Sequence, residues 1–193
     1  MIAVALGCLA AGAAIGASIE HFTAPPPAND PVASTAAIAP AAVPAAESIR
    51  ATVTEITDGD TINARLPDGF EHAIRLAGID APESAQAFGA QSTAHLAELV
   101  SGKVVMLQCS GDRSYGRMIC KILLPSGEDV CLDQVKAGMA WQYKQYQDEQ
   151  SAADRTTYAA TECTAMKASV GLWSDPHPVQ PQDFRHGRLA DPA

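Results

Sequence analysis

Short runs in which apolar and polar residues alternate occupy the middle of the chain, and such alternation is typical of half-buried β-strands. Five of these runs predict strands, at residues 50–57, 62–66, 70–76, 103–109 and 117–124. The turn sequence Pro67-Asp68-Gly69 lies between the second and third runs. It predicts that these two strands form a hairpin.

Three longer segments have the spacing of helices. Apolar residues from Phe88 to Val100 recur at helical intervals and predict a helix over residues 85–100, ended by Ser101-Gly102. Two more helices are predicted at residues 130–137 and 151–169. Five strands with the first helix between the third and fourth predict an α+β protein that is mainly β: a five-stranded OB-like barrel with three helices.

The ends of the chain differ from this middle part. Residues 1–22 are mostly apolar and predict either a signal peptide or an uncleaved N-terminal membrane anchor, although no Lys or Arg precedes the apolar run. Residues 23–49 are rich in Ala and Pro and predict a disordered linker. The folded domain is expected at residues 50–176, with an irregular tail at 177–193. We therefore expect a periplasmic or secreted protein, or one tethered to the inner membrane.

Charge limits the classes of function. The 193 residues carry a net charge of −9. Three of the 22 acidic residues and none of the 13 basic residues lie in the first 49 positions, so the remainder carries −6. This balance argues against a protein that binds nucleic acid nonspecifically through a broad basic face. It remains compatible with an enzyme that holds one or two phosphates locally and uses a metal ion.

Cysteine spacing bears on metal binding and on export. Cys8 lies in the apolar leader, and the other four show no CxxC spacing, which argues against a zinc site. In an exported protein two disulfides are favoured over buried thiols. Cys109 and Cys120 are expected on neighbouring strands and Cys131 and Cys163 on two helices, but the sequence leaves the connectivity open.

A cluster of acidic residues flanks the predicted hairpin. The hairpin brings Asp60, at the start of one strand, close to Asp80, just after the other, and carboxylates placed together need a compensating cation. Asp58 and Glu83 lie nearby, and an all-oxygen set suits Ca²⁺ or Mg²⁺. Arg75 lies between the acidic positions and is suited to bidentate phosphate contacts. The alternative is that these Asp-Gly pairs are ordinary turns with solvated acids.

A second arginine follows a tight turn, in the segment Tyr115-Gly116-Arg117. Together with DGDT at residues 58–61, IRLAGIDAPE at 74–83 and GLW at 171–173, this turn resembles the staphylococcal nuclease-like (thermonuclease) family over about residues 50–173. The segments GMAWQYKQYQDEQ and GLWSDPHPVQPQDFR resemble the exported bacterial branch of that family.

The resemblance implies an OB-fold barrel and a Ca²⁺-dependent nuclease that acts on DNA and RNA and leaves 3′-phosphate ends. Its calcium ligands would be the carboxylates of Asp60 and Asp80 and the main-chain carbonyl of Ala81, with Thr61 as a further candidate. Single-stranded or denatured nucleic acid would be the preferred substrate, and a monomer is expected.

The resemblance also assigns roles to other residues of the cleft. Arg75 and Arg117 would bind the phosphate and Glu83 would act as general base or would orient the attacking water. Tyr115, and less directly Tyr143, would line the nucleotide pocket. Asp58 is expected to order its turn. Four further residues are expected to pack or lie on the surface: His72, His95, Trp141 and Trp173.

Two other functions compete with hydrolysis. One is a barrel of the same type that binds nucleic acid or a peptide without cutting it. The other is a structural envelope protein stabilised by disulfides. The presence of all of Asp60, Arg75, Asp80, Glu83 and Arg117 favours the nuclease.

Overall fold

The computed structural model describes residues 48–188, and its centre is a closed five-stranded barrel. The barrel strands are β1 Ser48–Ile56, β2 Thr61–Arg65, β3 Glu71–Leu76, β5 Val104–Ser114 and β6 Arg117–Leu123. Two short strands, β4 Ile79–Asp80 and β7 Trp141–Gln142, form a separate pair. The helices are α1 Gly89–Val100, α2 Val130–Lys136, α3 Ala152–Lys167 and α4 Pro181–Arg185, with 3₁₀ turns at Lys144–Glu149 and Gly171–Ser174.

The barrel closes through one parallel pairing. Its strand order is β1-β2-β3-β6-β5, and the neighbours are antiparallel except β3 and β6. In the β2–β3 hairpin Thr61 lies opposite Arg75, and in the parallel pairing Arg75 lies opposite Ile119. Three strands therefore bring the start of β2, the end of β3 and the start of β6 to the same end of the barrel.

The core fills the barrel and the space beneath its helices. Ile74, Val105 and Ile122 alternate with exposed or half-buried residues along their strands and are fully buried, and Ile62 on β2 is fully buried as well. Leu96 on α1 joins the same cluster. Because burial of such side chains contributes about 1.5–3 kcal/mol each, this cluster supports the rigid barrel end on which the acidic residues lie.

The sequence-based fold class is confirmed: the chain forms a five-stranded barrel with helices in an α+β arrangement. The first helix begins at Gly89 rather than at residue 85. The predicted leader at residues 1–22 and most of the linker at 23–49 lie outside the described residues. No helix within residues 48–188 is long and apolar enough to cross a membrane.

The C-terminal segment differs from the prediction. Residues from 177 onward were expected to be irregular, but α4 forms at Pro181–Arg185. A proline at the first helical position and Asp183 in the first turn both favour a helix start, and Pro181 is buried. A helix this short shows no apolar period, so the sequence pattern did not reveal it.

One of the two expected disulfides is formed. Cys109 on β5 and Cys120 on β6 are directly paired across the hairpin and are bonded to each other. The expected second bond, between Cys131 and Cys163, is not formed, because Cys131 is a buried thiol. Cys131 is buried beside the backbone of Ile122, and this burial raises the pKa of its thiol. A protonated core thiol of this kind behaves as a small apolar side chain.

We expect the double variant Cys109→Ala/Cys120→Ala to lose about 3 kcal/mol of unfolding free energy, because the bond closes a loop with a sequence separation of 11. Urea unfolding of oxidised wild type and variant measures the difference. Reduced wild type is the control and should match the variant, whereas reductant should leave the variant unchanged. Equal stability of oxidised and reduced wild type would contradict the expectation.

Candidate active site

A cleft of about 980 Å³ opens at the end of the barrel where β2, β3 and β6 meet. Five parts of the chain line it: the Asp58–Asp60 turn, residues 75–83, residues 112–119, residues 143–146 and residues 182–186. All the residues predicted to be catalytic, Arg75, Glu83 and Arg117, line this cleft. So do Asp60, Ala81, Tyr115 and Tyr143.

The turn before β2 places Asp60. The backbone N–H of Asp60 donates to Oδ1 of Asp58 at 3.0 Å, and the N–H groups of Thr57 and Asp58 donate to the carbonyl of Thr61. Asp58 therefore orders the turn, which is the role that the sequence suggested for it. Gly59 is required by space, since a Cβ at this position would lie 1.9 Å from Oγ of Ser92.

Two helices support this turn from beneath. Gln134 on α2 is buried, and its Nε2 donates to the carbonyl of Gly59 at 2.7 Å and to that of Ser92 at 3.2 Å. Its Oε1 is hydrogen bonded to Nδ1 of His95 on α1. Ser92 in turn donates to the carbonyl of Met139 at 2.7 Å. These buried bonds fix the loop that carries Asp60, and sequence reasoning did not identify Gln134.

Arg75 joins the two principal acids. Its Nη2 lies 3.1 Å from Oδ2 of Asp60 and 3.1 Å from Oδ1 of Asp80, and its Nη1 donates to the carbonyl of Leu76 at 2.9 Å. The guanidinium also lies over the ring of Tyr143, 5.9 Å from its centroid. Asp60 and Asp80 thus converge, as the hairpin predicted. They are only 6% and 3% exposed.

Burial sets the electrostatics of these carboxylates. It raises the pKa of Asp60 to about 6, against the lowering effect of Arg75. It also raises the pKa of Asp80, against the hydrogen bond from Arg185 and the charge of Arg75. The arginines therefore do not fully offset the cost of two buried negative charges. Further positive charge beside these buried carboxylates would stabilise their charged form, and carboxylate oxygens are ligands that suit a hard divalent cation.

Ala81 and Thr61 are the remaining candidate ligands, and both contact Asp60. Ala81 is buried, and its N–H donates to Oδ2 of Asp60 at 2.8 Å. The Thr61 hydroxyl donates to Oδ1 of Asp60 and accepts from Nη1 of Arg117, each at 3.1 Å. Residues 48–188 hold no cluster of three or more metal-binding side chains. A calcium ion here would therefore depend on two carboxylates together with main-chain and water oxygens.

The β5–β6 turn places the second arginine. Tyr115 and Gly116 adopt positive φ angles of 50° and 83°, so the chain reverses sharply before Arg117. The guanidinium of Arg117 donates to the carbonyl of Ser114 at 3.3 Å as well as to Thr61. It therefore lies beside Asp60, while Tyr115 is 99% exposed at the edge of the cleft.

Glu83 lies at the rim of the cleft and is held by a residue that the sequence did not indicate. Its side chain is 37% exposed, and Oε1 accepts from Nη1 of Arg185 on α4 at 2.6 Å. Arg185 also binds both oxygens of Asp80, at 3.2 Å and 3.0 Å. Although burial opposes it, these hydrogen bonds raise the pKa of Arg185. The ending PQDFR was part of the resemblance, yet no pattern assigned its arginine a role.

The other residues singled out in the sequence contribute to packing or the surface. His72 forms an ion-pair contact with Asp68 at 2.8 Å in the hairpin turn, and His95 supports Gln134. Trp141 and Trp173 pack edge to face with ring centroids 5.2 Å apart. None of these four is among the residues that line the cleft of the described chain.

Comparison with known proteins gives a consistent picture. The family model described as "Staphylococcal nuclease homologue" matches residues 73–175. A Haemophilus influenzae protein named "Uncharacterized endonuclease" is 36% identical over 133 residues, 69% of this chain and 71% of the relative. An Escherichia coli O157:H7 protein with the same name is 36% identical over 72% of this chain and 86% of its own length. The Shigella flexneri "Micrococcal nuclease" is 35% identical over 74% and 84%.

We expect Gln134→Met to cost about 1–3 kcal/mol, because the buried carbonyl of Gly59 would lose its donor while the volume stays similar. Urea unfolding measures the loss. Gln91→Met at an exposed position of α1 is the matched control and should change stability by less than about 0.5 kcal/mol. Equal effects of the two substitutions would show that the Gly59 contact contributes little.

The raised pKa of Asp60 gives a pH-dependent prediction. Between its ordinary value of 3.8 and about 6 the folded protein keeps a proton that the unfolded chain has lost, so stability falls as pH rises through this window. In the presence of a chelator, the unfolding free energy of Asp60→Asn relative to that of wild type should therefore rise between pH 4 and pH 6. The total rise should reach about 3 kcal/mol at pH 7. Unfolding curves at several pH values test this, and a difference independent of pH would contradict it.

Proposed function

The chain belongs to the staphylococcal nuclease family, and from this nuclease fold we propose a Ca²⁺-dependent endonuclease that hydrolyses DNA and RNA to products with 3′-phosphate ends. One observation carries the proposal: the two buried carboxylates of Asp60 and Asp80 converge on Arg75, which lines a cleft together with Arg117 and Glu83. Such a combination of acids and guanidinium groups suits a phosphodiester, whose charge the arginines neutralise while the acids hold a cation.

The calcium ion would be held by Asp60 and Asp80, with the main-chain carbonyl of Ala81 completing the protein ligands. When bound, the ion polarises a phosphoryl oxygen and neutralises charge that develops at phosphorus. Thr61 acts indirectly in this proposal. Its hydroxyl orders Asp60 and Arg117 relative to each other rather than serving as a ligand.

Glu83 is proposed to remove the proton from the attacking water. It lies at the rim, where solvent reaches it, and Arg185 connects it to the buried Asp80. A carboxylate within hydrogen-bond reach of water and of the scissile phosphate can serve as a general base, or can orient the water. Either role requires that the side chain of Glu83 be held towards Asp60 and Asp80, the proposed calcium ligands.

Arg75 and Arg117 are proposed to bind the non-bridging oxygens of the phosphate. Arg75 approaches from β3 and Arg117 from β6, and the parallel pairing of these strands places both guanidinium groups at one end of the barrel. Donors fixed in this way stabilise the charge that grows in the transition state. Each guanidinium group is oriented by a hydrogen bond to a neighbouring backbone carbonyl.

Tyr115 and Tyr143 are proposed to contact a base of the substrate. Tyr115 is an exposed aromatic at the edge of the cleft, and Tyr143 lies beside Arg75 with its ring 5.1 Å from that of Tyr146. Stacking on such rings requires an unpaired base, which favours single-stranded or denatured nucleic acid. The acidic domain has no need of a broad basic face if binding is local.

Export is part of the proposal. The bond between Cys109 and Cys120 suits an oxidising compartment, in agreement with an apolar N-terminal leader. We propose a periplasmic or secreted monomer, or one tethered to the inner membrane if the leader is retained. The alternative of a barrel that binds without cutting is disfavoured because Asp60, Arg75, Glu83 and Arg117 all line the cleft and Asp80 contacts Arg75.

Calcium titration tests the function. The purified protein should degrade denatured DNA and RNA with Ca²⁺ and stop in EGTA, and end labelling should find 3′-phosphates. Glu83→Gln should lose about 10²–10⁴-fold in kcat, the usual contribution of a general base, while remaining folded.

Glu98→Gln, at an exposed position on α1, is the matched control and should keep full activity. Activity that persists in EGTA would remove the calcium dependence from the proposal. A fully active Glu83→Gln would remove Glu83 from the mechanism.

A further inference from the structure

Arg185 contacts both acidic components of the cleft. Its two terminal nitrogens bind the two oxygens of Asp80 side by side, at 3.2 Å and 3.0 Å. Its Nη1 also donates to Oε1 of Glu83 at 2.6 Å. This one guanidinium therefore connects a buried carboxylate, which belongs to the proposed metal site, with the half-exposed carboxylate proposed to activate water.

The helix that carries Arg185 is fixed by other contacts. Nε2 of Gln86 donates to the carbonyl of Val179 at 2.5 Å, just before α4, and Pro181 at its start is buried. Phe184 lines a small apolar cavity together with Trp141 and Leu172. Arg185 thus projects into the cleft from a segment that has other contacts with the domain, so α4 retains these contacts when the guanidinium is altered.

Two physical consequences follow from this geometry. A planar fork that binds Asp80 and Glu83 at once restricts Glu83 to one orientation beside the metal carboxylates. The same positive charge lies against Asp80, where it repels a divalent cation and competes for the carboxylate oxygens. The first effect favours turnover and the second weakens metal binding.

We propose that Arg185 is a positioning residue of the hydrolytic site, which holds Glu83 towards Asp80 and at the same time lowers the affinity of the site for calcium. The inference rests on the proposed nuclease function. It predicts effects of opposite sign on metal binding and on turnover, whereas a purely structural residue would weaken both when removed.

The experiment compares Arg185→Gln and Arg185→Lys with wild type in the full chain. Calcium affinity is measured by calorimetry and by the calcium-dependent rise in Tm, since a ligand of the folded state raises Tm. Turnover is measured at saturating calcium on a short single-stranded DNA. Arg188→Gln is the matched control, because Arg188 pairs with Asp183 at the exposed end of the same segment.

Arg185→Gln should bind calcium about tenfold more tightly, the size expected for removing one screened charge. Its kcat should fall about 10²-fold, because Glu83 loses its orientation. Arg185→Lys keeps the charge but not the fork, so its calcium affinity should stay near that of wild type while its kcat stays low. Arg188→Gln should change neither quantity.

Weaker or unchanged calcium binding by Arg185→Gln would overturn the inference, and so would an unchanged kcat. A calcium response and nuclease activity in wild type would leave the proposed function standing in either case. If neither wild type nor variants respond to calcium, the proposed function fails, and the inference fails with it.

Discussion

The bridge from Arg75 to Asp60 and Asp80 is the interaction on which this end of the molecule depends. Two carboxylates buried side by side would repel and would be neutralised by protonation if no cation lay between them. A buried charge pair is costly to break, because the remaining partner is left unpaired in a low dielectric. The backbone around it must therefore hold all three residues in register, and the barrel does this together with the separate β4–β7 pair.

Each partner of the bridge is fixed by a different part of the fold. The hairpin register sets Arg75 opposite Thr61, so its guanidinium reaches Asp60 across one strand pairing. Asp80 is fixed by the two-residue pairing of β4 with β7, in which it lies opposite Trp141. Gln142 on that strand donates its N–H to the buried Glu162 of α3 at 2.9 Å. A second sheet that is too short to be stable alone is thus connected to the helical layer and keeps Asp80 in place.

The elements that the sequence predicted are those with local signals. Alternation and the Pro67-Asp68-Gly69 turn are sufficient to pair β2 with β3, and this hairpin alone implies that Asp60 approaches Asp80. The contributions missed were long-range or too short for a period. Arg185 lies 105 positions from Asp80, and its helix has five residues. Gln134 reads as part of an amphipathic helix, and only the folded chain shows that its amide reaches Gly59.

The expectation of a second disulfide failed for a related reason. Four cysteines after the apolar leader and an expected export favour pairing, but they carry no information on which side chains the core needs. Cys131 is buried in the core beside Ile122, where its thiol packs as a small apolar group. The hairpin that presents Tyr115 and Arg117 is, in contrast, closed by a bond between directly paired residues. Covalent restraint is thus present where the chain must hold a strained turn beside the cleft.

Charge balance within the cleft resolves the conflict between an acidic domain and a polyanionic substrate. Three guanidinium groups lie beside the acids: Arg75 on β3 contacts Asp60 and Asp80, and Arg185 on α4 contacts Asp80 and Glu83. Arg117 on β6 reaches Asp60 through the hydroxyl of Thr61. The family match spans residues 73–175 and so includes neither Asp60 nor Arg185. The segments before and after residues 73–175 must therefore pack against this part of the chain before Asp60 can contact Arg75 and before Arg185 can contact Asp80. The arginines give this end of the barrel a local charge that differs from the net negative charge of the chain, so a single phosphate can be accommodated there although the chain as a whole is acidic.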